Sequence, residues 1–175
     1  MSPSRLIALA ALPILVAACT PGAMGPPPPG PLANATTFRA EDFVWSQAPG
    51  RNGVSGHVGY AQGPTRFTCA GASVILTPET PWTRQRMSTL YASTDRAALP
   101  TDEVRARTPP GNEGDYSAYI RRTTCDTADR FSFAGLPNGS WFVITIAKPV
   151  GASGPSVALM RRVVTARGRT VAAEL

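Results

Sequence analysis

The sequence has one histidine, His57, one lysine, Lys148, and three cysteines, and charged residues make up only 16% of its 175 residues. These scarcities exclude several chemistries. A zinc site needs a cluster of nitrogen, sulfur or carboxylate ligands, and one histidine with a few scattered cysteines does not supply it. No G-x-S-x-G nucleophile elbow, no phosphate-binding G-x-x-x-x-G-K-[ST] loop and no H-E-x-x-H pair occurs in the chain. No residue is therefore assigned a catalytic role, and no cofactor or metal is expected. His57 sits in an alternating apolar segment, the setting of a structural histidine. Asp126 and Asp129 suggest a calcium loop, but two carboxylates at a turn more often bond the turn's own backbone. Long apolar runs are scarce too. The one at the N-terminus is shorter than the roughly 20 residues that cross a bilayer.

What is present begins with that run. Arg5 is followed by LIALAALPILVAA, the charged and apolar regions of an export signal over residues 1–18. The residues Val16-Ala17-Ala18-Cys19 resemble the lipobox of bacterial lipoproteins, in which an aliphatic and two small residues precede a cysteine. The resemblance implies that Cys19 receives a diacylglyceryl thioether, that the chain is cut before it, and that the new amine is acylated. The competing reading is an ordinary secretory signal cut at an Ala-x-Ala-like site, with Cys19 left as a spare thiol. Two or more acyl chains, at about 0.8 kcal/mol per buried methylene, anchor a protein stably. The implied address is the cell envelope, lipid-anchored. Thr20 is not the aspartate that resembles an inner-membrane retention signal, so the outer membrane is expected.

Residues 19–38 are rich in Pro, Gly, Ala and Thr, with PPPP at their centre. Such a composition cannot bury enough surface to offset its ordering entropy. In polyproline II geometry, at about 3.1 Å per residue, it reaches up to about 60 Å. A tether is the expected role, with a polyproline ligand for a partner domain as the competing one.

Residues 39–175 are enough for a single domain with one core. Within them Cys69 and Cys125 are the only cysteines, and export would place them in an oxidising compartment, so a disulfide between them is expected. Basic residues outnumber acidic ones 17 to 11, and all but Lys148 are arginine. The adjacent pairs Arg121-Arg122 and Arg161-Arg162 suggest a patch, yet successive strand residues point to opposite faces. No aromatic-basic nucleic-acid motif accompanies them, so DNA or RNA is not an expected partner. Anionic lipid and cell-wall polymer stay open.

The domain reads as short strands. GVSGHVGY alternates with Val54, Gly56, Val58 and Tyr60 on one side, then reverses at Gly63-Pro64 into TRFTC. GASVILTP sets Val74 and Leu76 against Ser73, Ile75 and Thr77, a strand buried on both faces. Alternation fails in the insertion 80–114, where Thr80 caps and Pro81 opens a short helix bearing Trp82, Arg86 and Leu90 on one face. DYSAYIRRTTC returns as a strand with Tyr116, Ala118 and Ile120 on one side. FSFAGLPNGSWFVITIA reads as strand, tight turn at Leu136-Pro137-Asn138-Gly139, and strand, and VALMRRVVTA and TVAAEL flank a turn at Arg167-Gly168-Arg169. Seven or so strands predict an all-β fold, a prealbumin- or immunoglobulin-like sandwich.

The run Gly71 to Thr77 and the run Asp129-Arg130-Phe131-Ser132-Phe133-Ala134-Gly135-Leu136-Pro137-Asn138-Gly139-Ser140-Trp141 resemble the carboxypeptidase regulatory-like and Cna-B-type domains. Those domains show a G-A-x-V-x-L strand and a D-G-x-F-x-F-x-x-L-P-x-G-x-Y hairpin. Arg130 replaces the usual turn glycine, and the connection between the two runs is longer than in the family. The resemblance implies a non-enzymatic accessory, stalk or binding module. The expected function is thus a membrane-anchored envelope lipoprotein serving as a structural or protein-interaction module, with carbohydrate or peptidoglycan binding as the alternative. Its expected partners are the membrane, through the lipid, and an envelope protein or a cell-wall glycan. Trp82 and Tyr91 are the candidate ligand-binding residues, because recognition concentrates on loops held by a rigid scaffold. Packing of the insertion onto the sandwich is the competing reading for both.

Overall fold

The structure, a computed structural model, describes residues 37–109, 116–151 and 153–175. The expected signal peptide, Cys19 and the proline run lie outside these residues. The strands in chain order are β1 (Asn52–His57), β2 (Ala61–Gln62), β3 (Thr65–Thr68), β4 (Ser73–Pro78), β5 (Arg96–Pro100), β6 (Arg121–Thr124), β7 (Arg130–Leu136), β8 (Gly139–Pro149), β9 (Val157–Thr165) and β10 (Thr170–Glu174). Helix α1 (Pro81–Tyr91) precedes β5 and helix α2 (Thr101–Ala106) follows it. Tight 3-10 turns occupy Ala40–Gln47 and Ser117–Tyr119.

The strands form two facing sheets, an all-β sandwich. The smaller has the order β10-β1-β7, with β10 parallel and β7 antiparallel to β1. The larger runs β6-β4-β8-β9-β5. On the β4 side of β8, β3 pairs with the far end of that long strand, so β3 and β4 flank it in succession.

Alternation along the strands decides what each face buries. Trp141, Val143 and Ala147 of β8 point inward with Val74 and Leu76 of β4 and Leu159 and Val163 of β9. They meet Val54, Phe131, Phe133 and Ala173 of the smaller sheet. Trp141 is fully buried, and its Nε1–H donates to Thr165 Oγ1 at 3.0 Å. That hydroxyl in turn donates to the Pro137 carbonyl at 2.7 Å, so the one polar atom of the ring is satisfied as burial requires.

Gly56 shows how tightly the smaller sheet packs on its own face. It lies directly opposite Phe131 across the β1–β7 ladder, and a Cβ built on it would fall 1.9 Å from the Phe131 ring. The ring occupies the place of the missing side chain. Gly56→Ala is therefore expected to destabilise the domain by about 1–3 kcal/mol, the usual cost of overpacking a full core. Urea unfolding checks it, and an unchanged midpoint would mean that Phe131 can vacate the site freely.

The expected strands over Val54, Val74, Phe131, Trp141, Val163 and Ala173 are present. Two expectations need correction. Tyr116 to Ile120 is not strand: the 3-10 turn at Ser117–Tyr119 occupies it, and β6 begins only at Arg121. Tyr119 stacks at 5.0 Å on Phe43 and Tyr116 at 4.9 Å on Trp82, so an aromatic cluster holds both rings rather than a ladder. The insertion also contributes a strand, β5, that antiparallel pairing adds to the edge of β9.

Candidate binding site

The insertion supplies a third layer. Thr80 starts α1 with a reciprocal cap: its Oγ1 accepts from the Thr83 N–H at 3.1 Å, and the Thr83 hydroxyl accepts from the Thr80 N–H at 2.7 Å. Two backbone donors that the helix leaves free are thus satisfied, and Pro81 adds its fixed φ at the first turn. Met87, Leu90 and Tyr91 of the helix, with Ala97 of β5 and Val104 of α2, pack on Phe142, Ile144, Ala158 and Met160. These last four are the outward positions of β8 and β9, so both faces of the larger sheet are covered.

The cover is incomplete at one end. There a groove of about 480 Å³ opens between α2 and the outer face of the sheet, walled by Ile75, Ile144, Ile146, Val104, Ala158 and Tyr91. Ile146 remains 41% exposed. Arg105 and Lys148 stand at the rim. Arg105 is held 2.6 Å from Asp102 one helical turn away, whereas among the described residues Lys148 makes no ion pair.

Trp82 and Tyr91, the residues selected in the sequence as possible ligand contacts, are not open platforms. Trp82 is buried, packed edge-on against Phe38 at 5.6 Å and Phe43 at 6.3 Å, and the Arg86 guanidinium lies over its ring at 5.5 Å. The competing reading, packing of the insertion, describes it. Tyr91 is buried too, but one side of it forms part of the groove wall. Burial pushes its phenol up to about 12; Tyr116 adds to the rise and Arg86 opposes it. The phenol therefore stays neutral through the physiological range.

The other sequence candidates fall into place without forming a site. Cys69 and Cys125 are bonded, with Cα atoms 5.7 Å apart. Beside them Asp129 accepts from the Thr68 hydroxyl at 2.5 Å and the Cys69 N–H at 2.8 Å. Asp126 accepts from the backbone of Ala128 and Arg130. Asp126 thus accepts from its own turn, whereas Asp129 reaches across to the end of β3. His57 Nδ1 lies 3.5 Å from Glu174 Oε2 on the neighbouring strand. Arg121 and Arg122 diverge as strand geometry requires: Arg121 donates to the Ser46 carbonyl at 3.0 Å, and Arg122 is exposed. Arg162 likewise reaches Glu79 at 2.6 Å on the outer face, while Arg161 points the other way with Leu159 and Val163.

Apart from Tyr91, sequence reasoning selected none of the groove residues, Ile146, Val104 and Lys148 among them. Their one signal is that Ile146 continues the Phe142-Ile144 face beyond the reach of the helices, which only the docking of the insertion reveals.

No protein-family model matches the chain, and no curated protein does. Among solved structures, a Pseudomonas aeruginosa protein described as a candidate carbohydrate-binding protein matches with a TM-score of 0.53 at 15% identity. The match covers 79% of this chain and 97% of that one. At this identity the likeness concerns the fold.

Proposed function

We propose that this chain is a non-catalytic binding module of the bacterial cell envelope, held to its membrane by lipid on Cys19, and that its groove receives apolar side chains of another envelope protein. Val16-Ala17-Ala18-Cys19 supports the anchor. The likeness of Gly71–Thr77 and Asp129–Trp141 to carboxypeptidase regulatory-like domains supports a binding role without chemistry. The observation that carries the choice of ligand is the groove wall of isoleucine, valine and alanine around the half-open Ile146. A sugar presents hydroxyls that each need a partner when buried, and these walls offer few. Apolar side chains need none and gain about 25 cal/mol for each Å² removed from water.

A photoreactive side chain placed at position 148, on the rim, tests this in cells. It is expected to cross-link a discrete envelope protein, and Ile146→Asp is expected to reduce the product at least tenfold while shifting stability by about 1 kcal/mol or less, since the position is exposed. An undiminished product with Ile146→Asp would refute the groove as the contact.

A second reading, carbohydrate or peptidoglycan binding, is favoured by the likeness to the Pseudomonas aeruginosa protein. Retention on purified sacculi tests it.

A further inference from the structure

The larger sheet is wider than the smaller one. β10 packs over β9, and β5 carries the larger sheet one strand further. Under this overhang lies a second concavity, a cleft of about 590 Å³ lined by Tyr60, Arg96, Ala98, Leu159 and Glu174 among others. Unlike the groove it mixes an aromatic ring, a guanidinium and a carboxylate-bearing residue over an apolar floor.

At its margin, where Arg96 lines the cleft, lies an arrangement that isolated strands avoid. Arg96 of β5 is directly opposite Arg161 of β9. The Arg162 N–H donates to the Asp95 carbonyl at 2.7 Å, which makes 95 and 162 a hydrogen-bonded pair. The adjacent pair, Arg96 and Arg161, is then of the closer, non-hydrogen-bonded kind. Their Cβ atoms are about 4.5–5.5 Å apart, and like charges so placed repel. Arg161 shares its face with Leu159, which floors the cleft. Among the described residues neither guanidinium makes an ion pair with a carboxylate. The nearest acidic residue of the cleft, Glu174, is engaged 3.5 Å from His57.

We propose that the paired guanidiniums of Arg96, which lines the cleft, and Arg161, its neighbour across the β5–β9 ladder, bind the carboxylate of an acidic saccharide at the margin of this cleft. Guanidinium forks match a carboxylate bidentately, and an anion between the two arginines removes their repulsion. Tyr60, half-buried and set edge-on against Phe67 at 5.2 Å, offers a fixed ring beside which the sugar lies. Glu174 also lines the cleft, and its Oε1, not the oxygen that faces His57, is placed to accept from the sugar's hydroxyls. The inference rests on the carbohydrate reading and narrows it to one site and one class of sugar.

The probes are an oligogalacturonate, the neutral galactose oligomer of the same length, and vesicles containing phosphatidylglycerol, each titrated calorimetrically against the folded protein. The oligogalacturonate is expected to bind at least tenfold more tightly than the neutral oligomer, with affinity falling as salt rises. Arg161→Gln and Arg96→Gln are each expected to weaken it at least tenfold. Without ligand, the same variants should keep or raise the melting temperature, because they remove a like-charge contact; a purely structural role would lower it. Equal affinity for the acidic and neutral oligomers, lost in both variants, would overturn the acidic class and leave carbohydrate binding standing. Binding of neither oligomer, together with no retention on sacculi, would overturn both. Arginine-dependent binding to the vesicles alone would replace the saccharide by a lipid headgroup.

Discussion

Cys69→Ser is expected to lower the stability of the domain by about 2–5 kcal/mol, the usual loss when a small exported domain is deprived of a native disulfide. The bond closes a loop of 56 residues, for which the chain-entropy account gives roughly 4 kcal/mol. The position of the loop sharpens the expectation. The segment between the two cysteines begins with β4 and ends with β6, with α1, β5 and α2 between them, so the bond ties together the entry to β4 and the exit from β6, the two strands that bracket the insertion. The Gly71 N–H donates to the Cys125 carbonyl at 2.9 Å, and the Cys125 N–H to the Ala72 carbonyl at 2.9 Å, so the bond and the backbone hold the same junction. Both cysteines are buried, at 1% exposure, and a serine there would add an uncompensated hydroxyl. Urea unfolding with and without reductant, beside a Cys69→Ala/Cys125→Ala variant, separates the two contributions. Coincident curves in all cases would show that the bond contributes nothing.

The second large effect concerns the anchor. On the lipoprotein reading, Cys19→Ala is expected to abolish lipidation outright and to leave the precursor uncleaved, because the thiol is the acceptor of the diacylglyceryl group. A single myristoyl-like chain gives marginal adhesion and two or more give stable anchoring, so the membrane-bound fraction should fall from nearly all to nearly none. Labelled fatty acid and fractionation read both outcomes. Label incorporated by the alanine variant would defeat the assignment of Cys19.

The two-faced strands were readable because their alternation is strong. Trp141, Val143 and Ala147 against Phe142, Ile144 and Ile146 is a pattern that only a strand covered on both sides sustains. Thr80-Pro81 announced a helix start because capping is local chemistry. By contrast β5, with the sequence Arg96-Ala97-Ala98-Leu99-Pro100, is an edge strand with two alanines and an exposed arginine, so its pattern is weak although its pairing is regular. Tyr116 to Ile120 failed for the opposite reason: alternate aromatic residues imitate a strand when their true partners are other rings. Neither the groove nor the cleft was legible. Arg161 was visible beside Arg162, which points away from it, but its actual neighbour, Arg96, is set by the register of β5 on β9, and no local signal encodes that register.

The parallel pairing of β10 with β1 has a consequence for how the chain reaches this state. Gly53 meets Thr170 and His57 meets Glu174, so the smaller sheet joins residues from opposite ends of the described domain. Contacts of that kind cannot form until the late residues have emerged, and topologies dominated by them fold slowly. A chain threaded through a membrane from its N-terminus would carry β1 across with only β7 within reach, and its partner strand would arrive last. In such a passage the sandwich would stay open until transit is complete. The same delay leaves one edge of β1 exposed while the protein is young, which makes the interval before β10 arrives the time when mispairing with another chain is easiest.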